Sequence, residues 1–318
     1  MGKKEQFHPL RSWGPLFVQS INSWLEDRAL RFSAALAYYS IFAMAPLIII
    51  SISVAGLIFG EQAARGQVYQ QINWLLGSKG AAEIQTLIQA SSDTSKSILA
   101  TVVGIITLLV GASGVFGQLK DALNSIWGVR LKPGAGIISS VKEYLLNFSM
   151  VLGVGFLLII SLLLSAVLQS LNSFLTGYLP VPSFVGPLTA AGSFVVVLLL
   201  FALIFKVLPD VEIGWEDVWI GATVTAILFT LGKFLIGLYL GTSSIGSSFG
   251  AAGALILILV WVYYSTTIFF LGAEFTKAYA DRYGSGINPN RHACFISDST
   301  RQKQGLPPNE SRQADEPV

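Results

Sequence analysis

Six stretches of this chain are long and apolar enough to cross a lipid bilayer, and no other feature limits the fold as much. A hydrocarbon core about 30 Å thick takes roughly 20 residues of α-helix. The stretches run from about Ala34 to Phe59, Ile98 to Phe116, Leu145 to Leu168, Phe184 to Leu208, Val218 to Leu240 and Ala251 to Gly272. Their polar residues are mostly Ser, Thr, Asn and Gln, which bond to helix carbonyls or to a neighbouring helix. One such run is compatible with a buried helix of a large soluble protein, but six joined by short polar loops point to a membrane protein. Charge agrees: Asp, Glu, Lys and Arg make up 12 % of the 318 residues, about half the usual ~25 % and too little to cover a surface in water. The expected fold class is all-α, a polytopic integral membrane protein with six transmembrane helices.

Basic residues orient it. Counted over alternate segments, sixteen Lys and Arg fall on the side of the two termini, three (Arg65, Lys79, Lys96) on the other, and Lys233 lies within a span. The positive-inside rule then puts both termini in the cytoplasm. No cleavable signal peptide is expected, because the first apolar run starts only after Arg31 and is too long for a signal core. Ahead of it a helix is expected over about residues 15–32, opening at Pro15, a favoured first helical position. Phe17, Ile21, Trp24, Leu25 and Phe32 recur along one side of it. It reads either as an interfacial amphipathic helix or as an extension of the first span. Residues 1–283 thus form one membrane domain. Residues 284–318, polar and proline-bearing, are expected to be a disordered cytoplasmic tail.

Catalytic chemistry has little to work with. The histidines, His8 and His292, lie near the ends and no apolar run holds one, so neither a zinc cluster nor a serine–histidine pair can be assembled within the bilayer. The single cysteine, Cys294, excludes an intrachain disulfide framework. The net charge of +2 gives no footprint for nucleic acid. The expected protein is not an enzyme and carries no cofactor.

Polar groups at membrane depth are costly and mark candidate sites. Lys233 lies in the outer half of the fifth run, either lining an outward cavity as an anion or headgroup contact or, the preferred reading on sequence, snorkelling to the interface. Glu274, near the inner end of the last run, is expected to pair with Lys277, Arg28 or Arg31, and too far from Lys233 for a direct ion pair. Pro46 interrupts the first run and frees a carbonyl, as broken helices do around transporter sites, or simply kinks it. The segment Gly241–Gly253, GTSSIGSSFGAAG, offers hydroxyls including Ser247 and Ser248 to a solute, or serves as a small-residue packing turn. In the second run Gly104, Gly111, Gly114 and Gly117 read as a close-packing face.

Four phrases, LAYYSIFAMAPL (Leu36–Leu47), DALNSIWGVR (Asp121–Arg130), LPDVEIGWEDVWIGA (Leu208–Ala222) and WVYYSTTIFFLGAEF (Trp261–Phe275), resemble in order those of the YihY/virulence factor BrkB family. The similarity covers about residues 15–282. One departure is Phe249-Gly250 where many members have Tyr-Gly. The resemblance implies a polytopic inner-membrane protein of bacteria, and gives weight to Pro46, Glu274 and Asp210, the last, in the Pro-Asp turn, as a candidate for holding the cytoplasmic end of the fourth and fifth runs. Some members have been linked to serum resistance or envelope lipid export. The ribonuclease label once attached to the family finds neither a metal cluster nor a basic groove in this sequence. Two functions follow as expectations: a transporter or flippase-like protein for a lipid or small ion, or a non-transporting scaffold for envelope partners. Membrane lipids are expected partners, nucleic acid is not, and a homo-oligomer is left open.

Overall fold

The computed structural model describes residues 9–42, 98–132, 185–242 and 253–297, with isolated helical positions 66, 69, 70, 73, 82 and 85. Pro46, Ser247, Ser248, the third apolar run and most of the first lie outside the described residues. The elements in order are α1 (Pro9–Glu26), α2 (residues 29–42), α3 (Ile98–Ile126), β1 (Val129–Leu131), α4 (Val185–Val207), β2 (Val211–Glu212), α5 (Trp215–Thr242), α6 (Gly253–Arg282), β3 (Asn288–Pro289) and β4 (Ala293–Phe295). Among the described residues three helical segments are long and apolar enough to cross a membrane: Ala190–Val207, Trp215–Tyr239 and Leu255–Arg282. They match the fourth, fifth and sixth expected runs, the last continuing to Arg282.

The N-terminal helix begins at Pro9, six residues before the expected start, and contains Pro15. It is not a continuous extension of the first span. Arg28, with φ of 56°, takes the left-handed conformation that non-glycine residues rarely adopt, and breaks the chain into α1 and α2. The apolar set read as one side is also divided. Phe17, Trp24 and Phe32 pack inward, whereas Ile21 and Leu25 are exposed beside Val18. Apolar surface on both sides suits a helix held between the bundle and lipid, where solvent cannot sort the two faces.

α3 runs ten residues beyond the expected end of its apolar stretch at Phe116. The reason is a change of pattern, not of structure: Leu119, Ala122, Leu123 and Ile126 are buried at helical spacing, and Asp121 on the outer side is exposed. Gly128, with φ of 69°, turns the chain out of the helix and into β1, a conformation that costs glycine nothing.

α5 packs antiparallel to α6, with α4 against α5 and α1 against α6. A reciprocal fit joins the central pair. A Cβ built on Gly221 would meet the Thr276 side chain, and one on Gly272 would meet that of Thr225. Each threonine is fixed by a 2.7 Å bond from its hydroxyl to the carbonyl four residues back, Thr225 to Gly221 and Thr276 to Gly272. Two Gly-x-x-x-Thr segments therefore interlock, each threonine filling the notch left by the other helix's glycine. The small residues of α3 do less: a Cβ on Gly114 would touch the Tyr39 ring at 3.0 Å, and one on Gly117 would meet nothing.

An aromatic chain fills the core. Trp127 packs on Phe205 (6.1 Å between centroids), Phe205 on Phe269 (5.1 Å), Phe269 on Phe201 (5.4 Å), Phe201 on Phe229 (5.4 Å) and Phe229 edge-on to Trp261 (6.5 Å). It links α3, α4, α6 and α5 along the bundle.

Residues 284–297, expected at the start of a disordered tail, are ordered. β4 pairs antiparallel with β1, Val129 opposite Phe295, and β3 with β2, Val211 opposite Pro289. With Ile287 and Ala293 buried, this segment laces over the end of the bundle where α3 and α4 finish and α5 starts. Its polar composition conceals it because the stability comes from backbone pairing with strands of two or three residues.

Candidate functional site

Polar groups concentrate at that laced end. Asp210 follows α4 in the turn to β2. Its carboxylate accepts a hydrogen bond from Asn124 Nδ2 (2.8 Å) and lies 3.1 Å from Lys120 Nζ, while its own N–H donates to Asn124 Oδ1 (2.8 Å). Its carbonyl takes a further bond from the N–H of Asn290. One aspartate thus ties the end of α3, the α4–α5 turn and the C-terminal segment together.

A second knot forms around Lys277. Its ammonium donates to the carbonyl of Ile126 (2.6 Å) and stands 3.7 Å from the carboxylate of Asp27, which is 2 % exposed in the elbow between α1 and α2. Trp127 donates its indole N–H to the carbonyl of Ala273 (3.1 Å), and Trp24 to that of Thr267 (3.2 Å). Glu274 is buried. Thr267, Phe270, Glu274 and Lys277 share one face of α6 by helical spacing, and that face is covered by Trp24, Phe32 and Asp27. Glu274 therefore sits beneath the elbow that carries Arg28, one turn from Lys277.

A third tie closes the start of α5. Asp217, buried in its first turn, accepts bonds from the Ser285 N–H (2.9 Å) and Ser285 hydroxyl (2.7 Å). The N–H of Gly214 donates to the same hydroxyl (3.0 Å). An acidic first turn also suits the positive end of the helix dipole.

Lys233 lies elsewhere. Next to it Gly232 packs against Ile268 and Tyr264 of α6, whereas Glu274 lies between Gly272 and Thr276, which meet α5 near Gly221 and Thr225. The two charged residues are separated along the pair by on the order of 13 Å, consistent with the sequence argument against a direct bond. Around α5, Ala222 and Ala226 are fully buried and Phe229 packs on the core. Lys233, seven residues past Ala226 and four past Phe229, continues that stripe. The outward stripe is Ile227, Leu231, Phe234, Leu235 and Leu238, all exposed. Trp215 and Trp219 are exposed at one end of α5 and Tyr239 at the other. Lys206 Nζ stands 5.5 Å above the Trp215 ring. Twenty residues from Trp219 to Tyr239 rise about 30 Å, the thickness of a hydrocarbon core bounded by aromatic belts.

Sequence reasoning missed Asp27, Lys120, Asp217 and Ser285 as tying residues. It also missed the Gly–Thr interlock, for which the repeated Gly-x-x-x-Thr spacing was the available signal. Among the described residues no group of three or more His, Cys, Asp or Glu is placed to hold a metal ion.

Long apolar helices that interlock at small residues around an aromatic core, with ion pairs at one end, define a helical, multi-span membrane protein. The chain belongs to the Virulence factor BrkB family, whose sequence pattern matches residues 20–294. It is similar to the UPF0761 membrane proteins of Alcanivorax borkumensis (26 % identical over 277 residues, 86 % of this chain and 61 % of that protein) and Teredinibacter turnerae (30 % over 269 residues, 81 % and 59 %). That of Tolumonas auensis is 28 % identical over 254 residues, 79 % of this chain and 80 % of its own length. The chain spans about three fifths of the length of the first two. No solved structure matches it.

Proposed function

We propose that this is a bacterial inner-membrane protein with six transmembrane helices and both termini in the cytoplasm, and that it moves a lipid or a small ion between its helices without enzymatic chemistry. The sixteen-to-three distribution of Lys and Arg supports the orientation. On this reading the laced end, with Asp210, Lys277 and Glu274, is the cytoplasmic end. The observation that carries transport is Lys233: a lysine on the core-facing stripe of a membrane helix, about 21 Å beyond Trp219, points away from lipid. Ionisable residues so placed mark solute pathways. Membrane lipids are its immediate partners, and a homo-oligomer accommodates the outward apolar faces equally well.

A second reading, a non-transporting scaffold, is favoured by the interlock of α5 with α6, which leaves no path between those two helices at Gly221 and Gly272. Purified protein in liposomes separates the two. Lipid scrambling and ion flux above empty vesicles, reduced in Lys233→Ala and Glu274→Gln, support transport. Wild-type protein that inserts normally and moves neither lipid nor ion would falsify it and leave the scaffold.

A further inference from the structure

Lys233 has a companion on the facing helix. The indole Nε1 of Trp261 is buried and meets no acceptor among the described residues. Its ring stands edge-on to Phe229, and it packs against the buried pair Ile236 and Leu257, as Val260 and Tyr264 do. Phe229 lies one helical turn before Lys233 on the same stripe, and Ile236 lies one turn after it. Trp261 and Lys233 therefore stand at about the same level of the α5–α6 pair, in the part of the bundle nearest Tyr239. Buried donors without acceptors are rare in folded proteins, and each calls for an explanation. A bound ligand supplies one.

We infer that Lys233 and Trp261 form the donor wall of a binding site for an oxyanion, a phosphate or carboxylate carried either by a lipid headgroup or by a free small anion. A cationic solute is repelled by the ammonium, and a neutral one gains nothing from it. An oxyanion takes a charge-assisted bond from Lys233 and an N–H bond from Trp261 with different oxygens. The aromatic surface of Phe229 and Trp261 keeps water from competing. This inference rests on the transport reading and narrows its solute to an anion.

The test reads binding directly. Protein labelled with 5-fluorotryptophan is placed in phosphatidylcholine nanodiscs, and the Trp261 fluorine resonance is assigned with Trp261→Phe. One arm adds phosphatidylglycerol to the disc and the other adds inorganic phosphate to the buffer. The expected result is a saturable shift of the Trp261 resonance in one arm, which identifies the source of the anion, while the other tryptophan resonances stay fixed. Lys233→Gln weakens the response by about tenfold or more, and Lys233→Arg keeps it. No saturable shift in either arm overturns the site, as does a Lys233→Gln protein, with its other resonances unchanged, that titrates like wild type. Flux without this binding overturns the site and leaves transport standing. Binding without flux keeps the site and overturns the transport reading.

Discussion

Replacing Gly272 by alanine tests the interlock of α5 and α6 with a single methyl group. The new Cβ would lie 2.6 Å from Thr225 Cγ2 and 2.7 Å from Thr225 Cβ, against 3.4 Å for ordinary contact. Thr225 has nowhere to go: it is β-branched on a helix, and its hydroxyl is bonded at 2.7 Å to the carbonyl of Gly221. The helices must separate by about 0.7 Å or more, which also pulls Thr276 out of the notch at Gly221. Overpacking of this kind costs about 1–3 kcal/mol. Thermal unfolding in detergent, followed by loss of the monodisperse peak, reads it as a lowered midpoint. Adding Thr225→Ala removes the methyl and hydroxyl from the notch. The double variant is expected to recover part of the loss, with an interaction energy of about 0.5 kcal/mol or more. Thr276→Ala in the same background gives no such recovery, because Thr276 faces Gly221 and not Gly272. An unchanged midpoint in Gly272→Ala, or equal rescue by both threonine replacements, would refute the reciprocal fit.

The tying residues give three further expectations, each read as a midpoint shift in the same assay. Asn124→Ala strips two bonds from Asp210 and leaves its backbone N–H without that acceptor, at a cost of about 1–3 kcal/mol; Asn124→Asp fares worse, because it places a second carboxylate against Asp210. Lys277→Met removes the ammonium that the Asp27 carboxylate and the Ile126 carbonyl share and costs about 1–3 kcal/mol, whereas Asp27→Asn, which keeps the bond to Ile126, costs less. The reverse order would show that the Asp27–Lys277 pair does not hold the elbow. Ser285→Ala deletes the hydroxyl that bridges Asp217 and Gly214 and costs about 1 kcal/mol, and Ser285→Thr restores most of it; equal losses in both would show that the hydroxyl does not carry this tie.

Local signals made the apolar helices legible and left the knots hidden. The fourth and fifth runs could be bounded to within a few residues because apolar length is a property of consecutive residues. Asn124 and Asp210 are 86 positions apart, Lys277 and Ile126 are 151 apart, and nothing near either partner specifies the other. Asp210 stands out by the phrase around it and Asn124 by its own, but neither phrase pairs the two. β3 and β4 escaped for a related reason, since strands of two or three residues show no alternation to read. The end of α3 was legible in principle: after Phe116 the apolar residues fall to one side at helical spacing, which a search for continuous apolar length passes over. The direction of Lys233 needed more than spacing. Its neighbours Leu231, Phe234 and Leu235 are as apolar as Ala222, Ala226 and Phe229, and only the observed burial separates the stripe facing lipid from the one facing the bundle.

The two ends of the bundle are held differently, which decides where its helices can part most easily. At the laced end, the Asp210, Lys277 and Asp217 ties and the Gly–Thr interlock join α1, α3, α4, α5, α6 and the C-terminal segment. Opening there would break several buried polar contacts at once, each costing about 1–3 kcal/mol or more. Toward Tyr239 the α5–α6 contact passes to Ile236, Leu257, Trp261 and Tyr264, a small apolar cluster apart from the main core, with Lys233 beside it. Apolar side chains in lipid have little to lose by exchanging a helix neighbour for an acyl chain, so separation costs least at this end. Spin labels or fluorophores on α4 and α6 would therefore report distance changes near Ala190 and Leu255 while a pair near Lys206 and Lys277 stays fixed. Movement confined to the laced end would refute this ordering of the two ends.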